Sequence, residues 1–268
     1  VIDILLQRPD GVMFAANQPT SGEIPAWLRS DDGGHSWQAP AQTPDLYWVI
    51  DGGFLDDQHG IVGRDDQTRL TDDGGETWHA GGSLPATYRV IEFALPAADR
   101  YFAATYRSGV SGGGVFVSDD GGLSWDPAGG GLPLGTVTFW SVDFPTATTG
   151  FAAGSTDANQ PRLYRTLDGG TSWQLMAPAG LTAPLRAMEW FDAQHGVVSQ
   201  GFPDPGLLRT DDGGLTWSPV SAETPQDFVL RDAREGLALP QFSNVLLLTT
   251  DAGATCEEIQ PPFSGPFP

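Results

Sequence analysis

The octet SDDGGHSW at residues 30–37 recurs with small changes as TDDGGETW at 71–78, SDDGGLSW at 118–125, TLDGGTSW at 166–173 and TDDGGLTW at 210–217. A sixth and more divergent copy is TTDAGATC at 249–256. The copies begin 41, 47, 48, 44 and 39 residues apart. Self-similarity at a period of this size predicts a repeat architecture, in which each unit is one supersecondary element.

Each octet follows the pattern Ser/Thr-x-Asp-x-Gly-x-Ser/Thr-Trp and comes after a short apolar run. Its Asp-Gly-Gly centre predicts a tight hairpin turn, because Gly adopts the positive φ that such turns require. The Asp carboxylate can accept hydrogen bonds from N–H groups of its own turn. We expect the Trp to begin the next strand and to cover the base of the hairpin. The six structural aspartates are Asp32, Asp73, Asp120, Asp168, Asp212 and Asp251.

The carboxylates of these turns also suggest a calcium site, which we tested against the ligands available. Calcium requires about six to eight oxygen atoms around one point. One octet offers one or two carboxylates, and the next octet lies a whole repeat away. We therefore predict that the turns are structural, with no metal and no cofactor.

These octets resemble the Asp-box, or BNR repeat, of sialidases, xyloglucanases, sortilin-type receptors and the photosystem II assembly factor family. All of these proteins are β-propellers, so the resemblance implies a propeller, while their functions differ. The segments DDQHG at 56–60 and DAQHG at 192–196, each placed between two strands ahead of an octet, most resemble the assembly factor family. Members of that family typically have seven blades and use a basic patch, whereas this chain has six units and is acidic. A role in photosynthesis is therefore not implied.

The whole chain, residues 1–268, divides into six units of four short strands, here called A to D. Short strands at even spacing with Gly-rich turns predict an all-β, six-bladed β-propeller of four-stranded antiparallel blades with Asp-box turns. In the second unit we predict strands at 47–55, 61–64, 67–71 and 77–82, and in the fifth at 186–191, 197–201, 206–210 and 216–220. The predicted blades span residues 1–42, 43–83, 84–130, 131–180, 181–222 and 223–262.

Composition excludes several classes of function. The net charge is −21, and the 13 basic residues are all Arg, which argues against binding to nucleic acid phosphates. The absence of Lys from the sequence excludes Schiff-base chemistry. A single Cys, Cys256, excludes an intrachain disulfide. No apolar run approaches the ~18 residues of a membrane span. The chain begins with Val1, which we interpret as following a removed segment, and we expect an extracellular or periplasmic location.

The expected strand order places the Asp-boxes on one face of the propeller and the variable B–C loops on the other. Binding residues belong on variable loops of a rigid scaffold. For each aromatic candidate on this face, the alternative to a role in ligand binding is packing between blades. The B–C loops are expected to add Trp27, Phe202, Asp204 and Phe242. The candidate ligand-binding residues near the ends of strands A and B are Tyr47, Trp48, Arg64, Tyr88, Arg89, Arg107, Trp140 and Arg186.

Two functions fit this pattern. The first is a non-enzymatic scaffold or assembly factor that binds a protein or carbohydrate ligand on the face opposite the boxes. The second is a sialidase-like glycoside hydrolase, in which Glu92 or Glu189 would act beside Arg and Tyr residues. The Phe/Tyr-Arg-Ile-Pro element of sialidases is missing, and the nearest match is YRVI at 88–91. We therefore favour the binding protein and assign no catalytic residue.

Overall fold

A computed structural model describes residues 4–16, 27–33, 35–40, 42–46, 49–221, 225–230, 235–240, 246–251 and 255–259. Within these residues the regular elements are short β-strands. The first eleven are β1 (Ile4–Gln7), β2 (Met13–Ala16), β3 (Trp27–Ser30), β4 (Asp51–Phe54), β5 (Gly60–Arg64), β6 (Gln67–Thr71), β7 (His79–Ser83), β8 (Tyr88–Ala97), β9 (Arg100–Arg107), β10 (Gly113–Ser118) and β11 (Asp126–Pro127). The others are β12 (Val137–Asp143), β13 (Gly150–Thr156), β14 (Pro161–Thr166), β15 (Gln174–Leu175), β16 (Leu185–Trp190), β17 (Gly196–Gln200), β18 (Gly206–Thr210), β19 (Ser218–Ser221), β20 (Pro225–Leu230), β21 (Gly236–Pro240), β22 (Leu246–Thr249) and β23 (Glu257–Ile259).

The strands form antiparallel meanders, and each meander contains one Asp-box. We number the sheets 1 to 6; sheet 1 has β1–β3, and the later sheets have β4–β7, β8–β11, β12–β15, β16–β19 and β20–β23. The prediction of four-stranded antiparallel units is confirmed in sheets 2 to 6. Among the described residues of sheet 1, a single bridge between Arg29 and Gln38 takes the place of the fourth strand.

Every four-stranded sheet has two distinct ends. The first and second strands, and the third and fourth, are joined at what we call the box end. The second and third strands are joined at the loop end. Gly74, Gly121, Gly169 and Gly213 of four boxes each donate their N–H to a carbonyl in the neighbouring first turn, with distances of 2.7–2.9 Å. The box is thus tied to the other turn of its own sheet.

The chain separates into two compact units, residues 1–129 with 133–138, and residues 130–132 with 139–268. The first unit has one buried cluster that includes Phe14 and Trp27 and another that includes Ile61 and Phe116. The core of the second unit includes Phe151, which stacks on Trp190 with ring centroids 3.5 Å apart. The second strands β5, β9, β13 and β17 are buried at most of their positions, as expected for sheets covered on both faces.

An aromatic residue at the end of the first strand packs over a glycine of the second. A β-carbon added to Gly60 would lie 2.7 Å from Phe54, and one added to Gly196 would lie 2.7 Å from Trp190. This close approach explains the final Gly of the DDQHG and DAQHG segments, because any larger residue would displace the ring. The box Trp then packs edge-on against the same aromatic residue, as Trp217 does with Trp190.

The box Trp was expected to begin the fourth strand, and this prediction is wrong. The fourth strands start one residue later, at His79, Asp126, Gln174 and Ser218. In sheets 4 and 5 the N–H of the Trp instead bonds to the segment that precedes the first strand of its own sheet. The N–H of Trp217 donates to the carbonyl of Ala179 at 2.9 Å, and the N–H of Trp173 donates to that of Gly130 at 2.6 Å. In these two sheets the backbone of the Trp is therefore tied to that preceding segment before the fourth strand starts.

Two other boundaries differ from the prediction. The first strand of sheet 2 is limited to Asp51–Phe54 instead of 47–55. Trp27, expected in a loop, is instead the first residue of β3, where it is buried and stacks on Phe14 with centroids 5.7 Å apart. Trp27 is therefore a core residue. Tyr47, Trp48 and Phe242 lie outside the described residues.

Candidate functional site

The Asp-boxes are the most regular polar feature of the chain. In the fifth box, Oδ1 of Asp212 accepts bonds from the Thr210 hydroxyl and the Thr216 N–H, both at 2.9 Å. Oδ2 accepts the Thr216 hydroxyl at 2.6 Å. The other five boxes show the same three bonds around their aspartates, including the divergent sixth box around Asp251. Each carboxylate thus closes its own turn.

These bonds keep the box carboxylates ionised. Hydrogen bonds from the hydroxyl and N–H of Ser36, and from the Ser30 hydroxyl, lower the pKa of Asp32 to about 2. The corresponding bonds from Ser172 and Thr166 lower the pKa of Asp168 to about 2. A carboxylate that accepts several bonds is stabilised in its charged form. Among the described residues, no group of three or more His, Cys, Asp and Glu side chains is arranged to hold a metal ion.

The candidate residues of the first unit mostly have structural partners. Nε of Arg64 and Nε of Arg89 lie 3.3 and 3.4 Å from the two oxygens of Asp65, beside a small polar cavity. Arg107 donates to the carbonyls of Ser111 and Gly135 and so fixes its own loop. Tyr88 is 9% exposed and packs on Phe116 with centroids 4.8 Å apart. The first unit therefore offers a charge-compensated surface and little exposed aromatic area at these positions.

The second unit brings two candidate residues together. The guanidinium of Arg186, near the start of β16, lies over the ring of Trp140 in β12, 4.5 Å from its centroid. A cation placed on an indole face at this distance is an attractive contact that orders both side chains. Arg186 itself is exposed, and the Trp140 side chain is half-buried. The two residues form an ordered contact surface on the first strands of sheets 4 and 5.

The loop between β17 and β18 continues this surface. A β-carbon placed on Gly201 would lie 3.2 Å from Nε of Arg186, so the loop passes directly beside the stacked pair. Phe202, the next residue, is 83% exposed. Asp204 accepts the hydroxyl of Thr182 at 2.8 Å. We call Trp140, Arg186, Phe202 and Asp204 the loop patch. All four residues are candidates from the sequence, but their spatial arrangement does not follow from it.

The loop patch is held in place by Gln200, a residue that was not predicted from the sequence. Oε1 of Gln200, at the end of β17, accepts the N–H groups of Thr182 and Ala183 at 2.7 and 3.1 Å. Gln200 is 2% exposed. A buried side-chain amide that bonds backbone groups fixes the segments it joins. A polar residue at the end of the apolar run GVVSQ was the available signal in the sequence.

Asp143 was not predicted from the sequence, and its pKa is raised well above the ordinary value of an Asp. Its oxygens accept the N–H of Phe144 at 2.6 Å and the N–H of Trp190 at 2.8 Å. Part of the residue is exposed, but the carboxylate lies deep among protein atoms, and this desolvation raises the pKa of Asp143 to about 6. A perturbed pKa can mark an active site. Here the bonds to backbone N–H groups show a link between β12 and β16.

The two glutamates of the glycosidase hypothesis lie on first strands of different sheets. Glu92 is in β8 of the first unit, and Glu189 is in β16 of the second. Both side chains are half-buried and have interactions within the protein. No catalytic role follows from these positions.

Comparison with known proteins supports the repeat and the fold. The BNR/Asp-box repeat family matches residues 69–80. The chain is similar to the solved structure of YCF48 bound to D1 peptide, with a TM-score of 0.66, 16% identity and coverage of 92% of this chain and 77% of that one. It is similar to YCF48 from Cyanidioschyzon merolae, with a TM-score of 0.66, 16% identity and coverage of 92% and 81%. The GH74 xyloglucanase from Xanthomonas campestris gives a TM-score of 0.68 and 15% identity, covering 94% of this chain and 45% of that one. No characterised protein matches the chain by sequence.

The chain is therefore a BNR/Asp-box repeat β-propeller built from four-stranded antiparallel blades. Its structural neighbours include both a peptide-bound protein and a glycoside hydrolase, and at these identities they show the fold alone. In the part of the chain that the structure describes, there is no helix of the length and apolar character needed to cross a bilayer.

Proposed function

We propose that the protein is a non-enzymatic binding propeller that recognises a segment of a partner protein on the loop patch. The observation that carries this proposal is the Arg186–Trp140 stack, which lies beside the loop that carries the exposed Phe202. Trp, Arg and exposed aromatic residues are the usual energetic anchors of protein interfaces. Because Arg186 is already ordered by Trp140, binding would cost less side-chain entropy. We also infer that the propeller has six blades, one for each Asp-box.

The geometry favours a polypeptide over a carbohydrate ligand. One face of the Trp140 ring is covered by the Arg186 guanidinium and is therefore not available for stacking on a sugar. The exposed guanidinium presents several N–H donors, which suit backbone carbonyls and carboxylates of a peptide. A propeller of the same fold is described as bound to a peptide, which is compatible with an assembly-factor role for this chain.

Peptide display tests the proposal directly. The immobilised protein would be used to select binders from a library of random peptides, and their affinities would be measured for the wild type and variants. We expect Trp140→Ala and Arg186→Ala each to weaken the selected peptides by about tenfold or more, as loss of an interface anchor does. Leu215→Ser is the matched control, since Leu215 is 59% exposed in the box of sheet 5.

Two results would contradict this function. One is a set of selected peptides whose affinity is the same for Trp140→Ala, Arg186→Ala and the wild type. The other is steady hydrolysis of chromogenic sialosides or glucan oligosaccharides that disappears in Glu92→Gln or Glu189→Gln, which would establish a glycosidase.

A further inference from the structure

A cavity in sheet 5 adjoins the loop patch. Its volume is about 360 Å³, and it lies between the loop that follows β17 and the strands β18 and β19. Leu207, Leu208, Pro219 and Val220 supply apolar walls, and Gln200, Asp204 and Ser221 supply polar groups. Pockets that bind small ligands in proteins usually have volumes of about 300 Å³ or more. The cavity is therefore large enough for one or two side chains and too small for an extended oligosaccharide.

The walls of this cavity are fixed before any ligand arrives. The N–H of Gly201 donates to the carbonyl of Pro184 at 2.8 Å, and Gln200 holds the backbone of Thr182 and Ala183. The Thr182 hydroxyl in turn donates to Asp204. A chain of bonds thus joins the segment before β16 to the loop after β17. Such preorganisation favours binding, since less of the loop has to be ordered by the ligand.

The charge of the cavity points to a cationic ligand. Among the described residues that line it, Asp204 alone carries a charge, and it is exposed at the rim. The chain as a whole has a net charge of −21. A negative field of this kind attracts basic partners over long range, and the carboxylate would then accept a charge-assisted bond from Lys or Arg.

The edge strand of sheet 5 is poorly suited to pairing with an added strand from a ligand, so recognition through the ligand's side chains is favoured. β19 (Ser218–Ser221) is the edge of sheet 5, and its second residue is Pro219. Proline has no N–H to offer, and proline on an edge strand is a known means of blocking further pairing. The ligand would therefore be held through its side chains in the cavity.

On the basis of the proposed function, we propose that this cavity is the specificity pocket of the loop patch. It takes an apolar side chain of the partner that lies next to a Lys or Arg of the same partner. The apolar side chain fills the space beside Leu207 and Val220, and the cation pairs with Asp204. The partner is thus an extended basic and apolar segment of another protein.

The peptides selected from the random library provide the test. We expect wild-type protein to enrich peptides that carry Lys or Arg within a few positions of a large apolar residue. Asp204→Asn keeps the size of the side chain and the acceptor for Thr182 but removes the charge, and should weaken these peptides by about tenfold. Val220→Trp should fill the cavity and weaken them as strongly. Affinity should also fall between low and high salt, and this dependence should be smaller in Asp204→Asn.

The outcomes separate this inference from the proposed function. If binding required Trp140 but was unchanged by Asp204→Asn and Val220→Trp, the role of the cavity as a specificity pocket would be overturned. The proposed function, which the Arg186–Trp140 stack carries, would be retained. Binding that requires Asp204 but is unchanged by Trp140→Ala and Arg186→Ala would retain the pocket and overturn the Arg186–Trp140 stack as the anchor of the proposed function. Enrichment of acidic peptides, or of none, by correctly folded wild-type protein would overturn the inference outright.

Discussion

Asp143 and Asp168 lie in the same sheet, and the protein shifts their pKa values in opposite directions. Asp168 is exposed in its box and accepts hydrogen bonds from Ser172 and Thr166, which lower its pKa to about 2. The carboxylate of Asp143 lies deep among protein atoms, where desolvation raises its pKa to about 6 even though two N–H groups donate to it. The same residue type is thus stabilised as an anion in one place and destabilised as an anion in the other.

The difference reflects what each carboxylate connects. Asp168 closes a turn within residues 166–172, and solvent assists its charge. Asp143 instead joins the end of β12 to the end of β16, residues that are 47 positions apart in sequence. A link between distant segments contributes to the assembly of sheets and cannot be replaced by water as easily as a link within an exposed turn. We therefore expect changes between sheets to cost more stability than changes within boxes.

Asp143→Ala should have the largest effect. The substitution leaves the N–H groups of Phe144 and Trp190 without their acceptor, and each unsatisfied group costs roughly 1–3 kcal/mol. We expect the free energy of unfolding, measured by urea titration at pH 4, where the carboxyl group is protonated, to fall by about 3 kcal/mol. Asp157→Ala, in an exposed loop of the same sheet, is the control. Equal values for the two variants would mean that Asp143 does not link the sheets.

The titration of Asp143 gives this prediction a second readout. Its pKa in the folded protein is above the ordinary value of 3.8, so its contribution to stability is complete below pH 3.8 and is lost as the pH rises through about 6. Asp143→Asn cannot ionise and should lack this decline, whatever its absolute stability. If the free energies of unfolding of the wild type and of Asp143→Asn changed in parallel between pH 4 and pH 7, this would show that the carboxylate does not titrate in that range.

Gly196→Ala should have the next largest effect. The added β-carbon would lie 2.7 Å from Cδ2 of Trp190, whose ring is held between Phe151 and Trp217. Overpacking of this kind costs about 2 kcal/mol. Gly129→Ala is a suitable control, because a β-carbon there meets no atom within 4 Å. Urea titration of both variants would test the contact, and an unchanged Gly196→Ala protein would show that the ring can move aside.

The comparison also shows which features a sequence can reveal. The boxes, the four-strand units and the strands of sheet 5 could be predicted within one or two residues, because turn chemistry and strand alternation are local. The bonds from the N–H of Trp190 to Asp143 and from the N–H of Trp217 to Ala179 could not be predicted, since they join segments that are distant in sequence. The same limit applied to the candidate site. Arg186 and Trp140 were named from the sequence, but their stacking needs the packing of β12 beside β16.

Asp73→Ala should have a smaller effect than either change between sheets. Oδ1 of Asp73 accepts the Thr71 hydroxyl and the Thr77 N–H, both at 2.9 Å, and Oδ2 accepts the Thr77 hydroxyl at 2.5 Å. The residue is partly exposed, so water can replace some of these bonds, and we expect a loss of about 1 kcal/mol. Asp72→Ala removes the neighbouring charge from the same turn and is the matched control. Thermal unfolding of the two variants would be compared, and a larger loss in Asp72→Ala would contradict the role given to Asp73.

The acid sensitivity of a single box should be the smallest effect. The pKa of Asp168 is lowered from 3.8 to about 2, so its contribution to stability is present above pH 3.8 and is lost as the pH falls towards 2. Asp168→Asn removes the titrating group and should make the decline of stability between pH 4 and pH 2 slightly shallower than in the wild type. Asp157→Asn, which removes an equal charge from an exposed loop of the same sheet, separates this effect from the change in net charge. Because the five other boxes retain their aspartates, most of the acid sensitivity should remain. If Asp157→Asn flattened the profile as much as Asp168→Asn, the acid response would arise from overall charge rather than from the hydrogen bonds of the box.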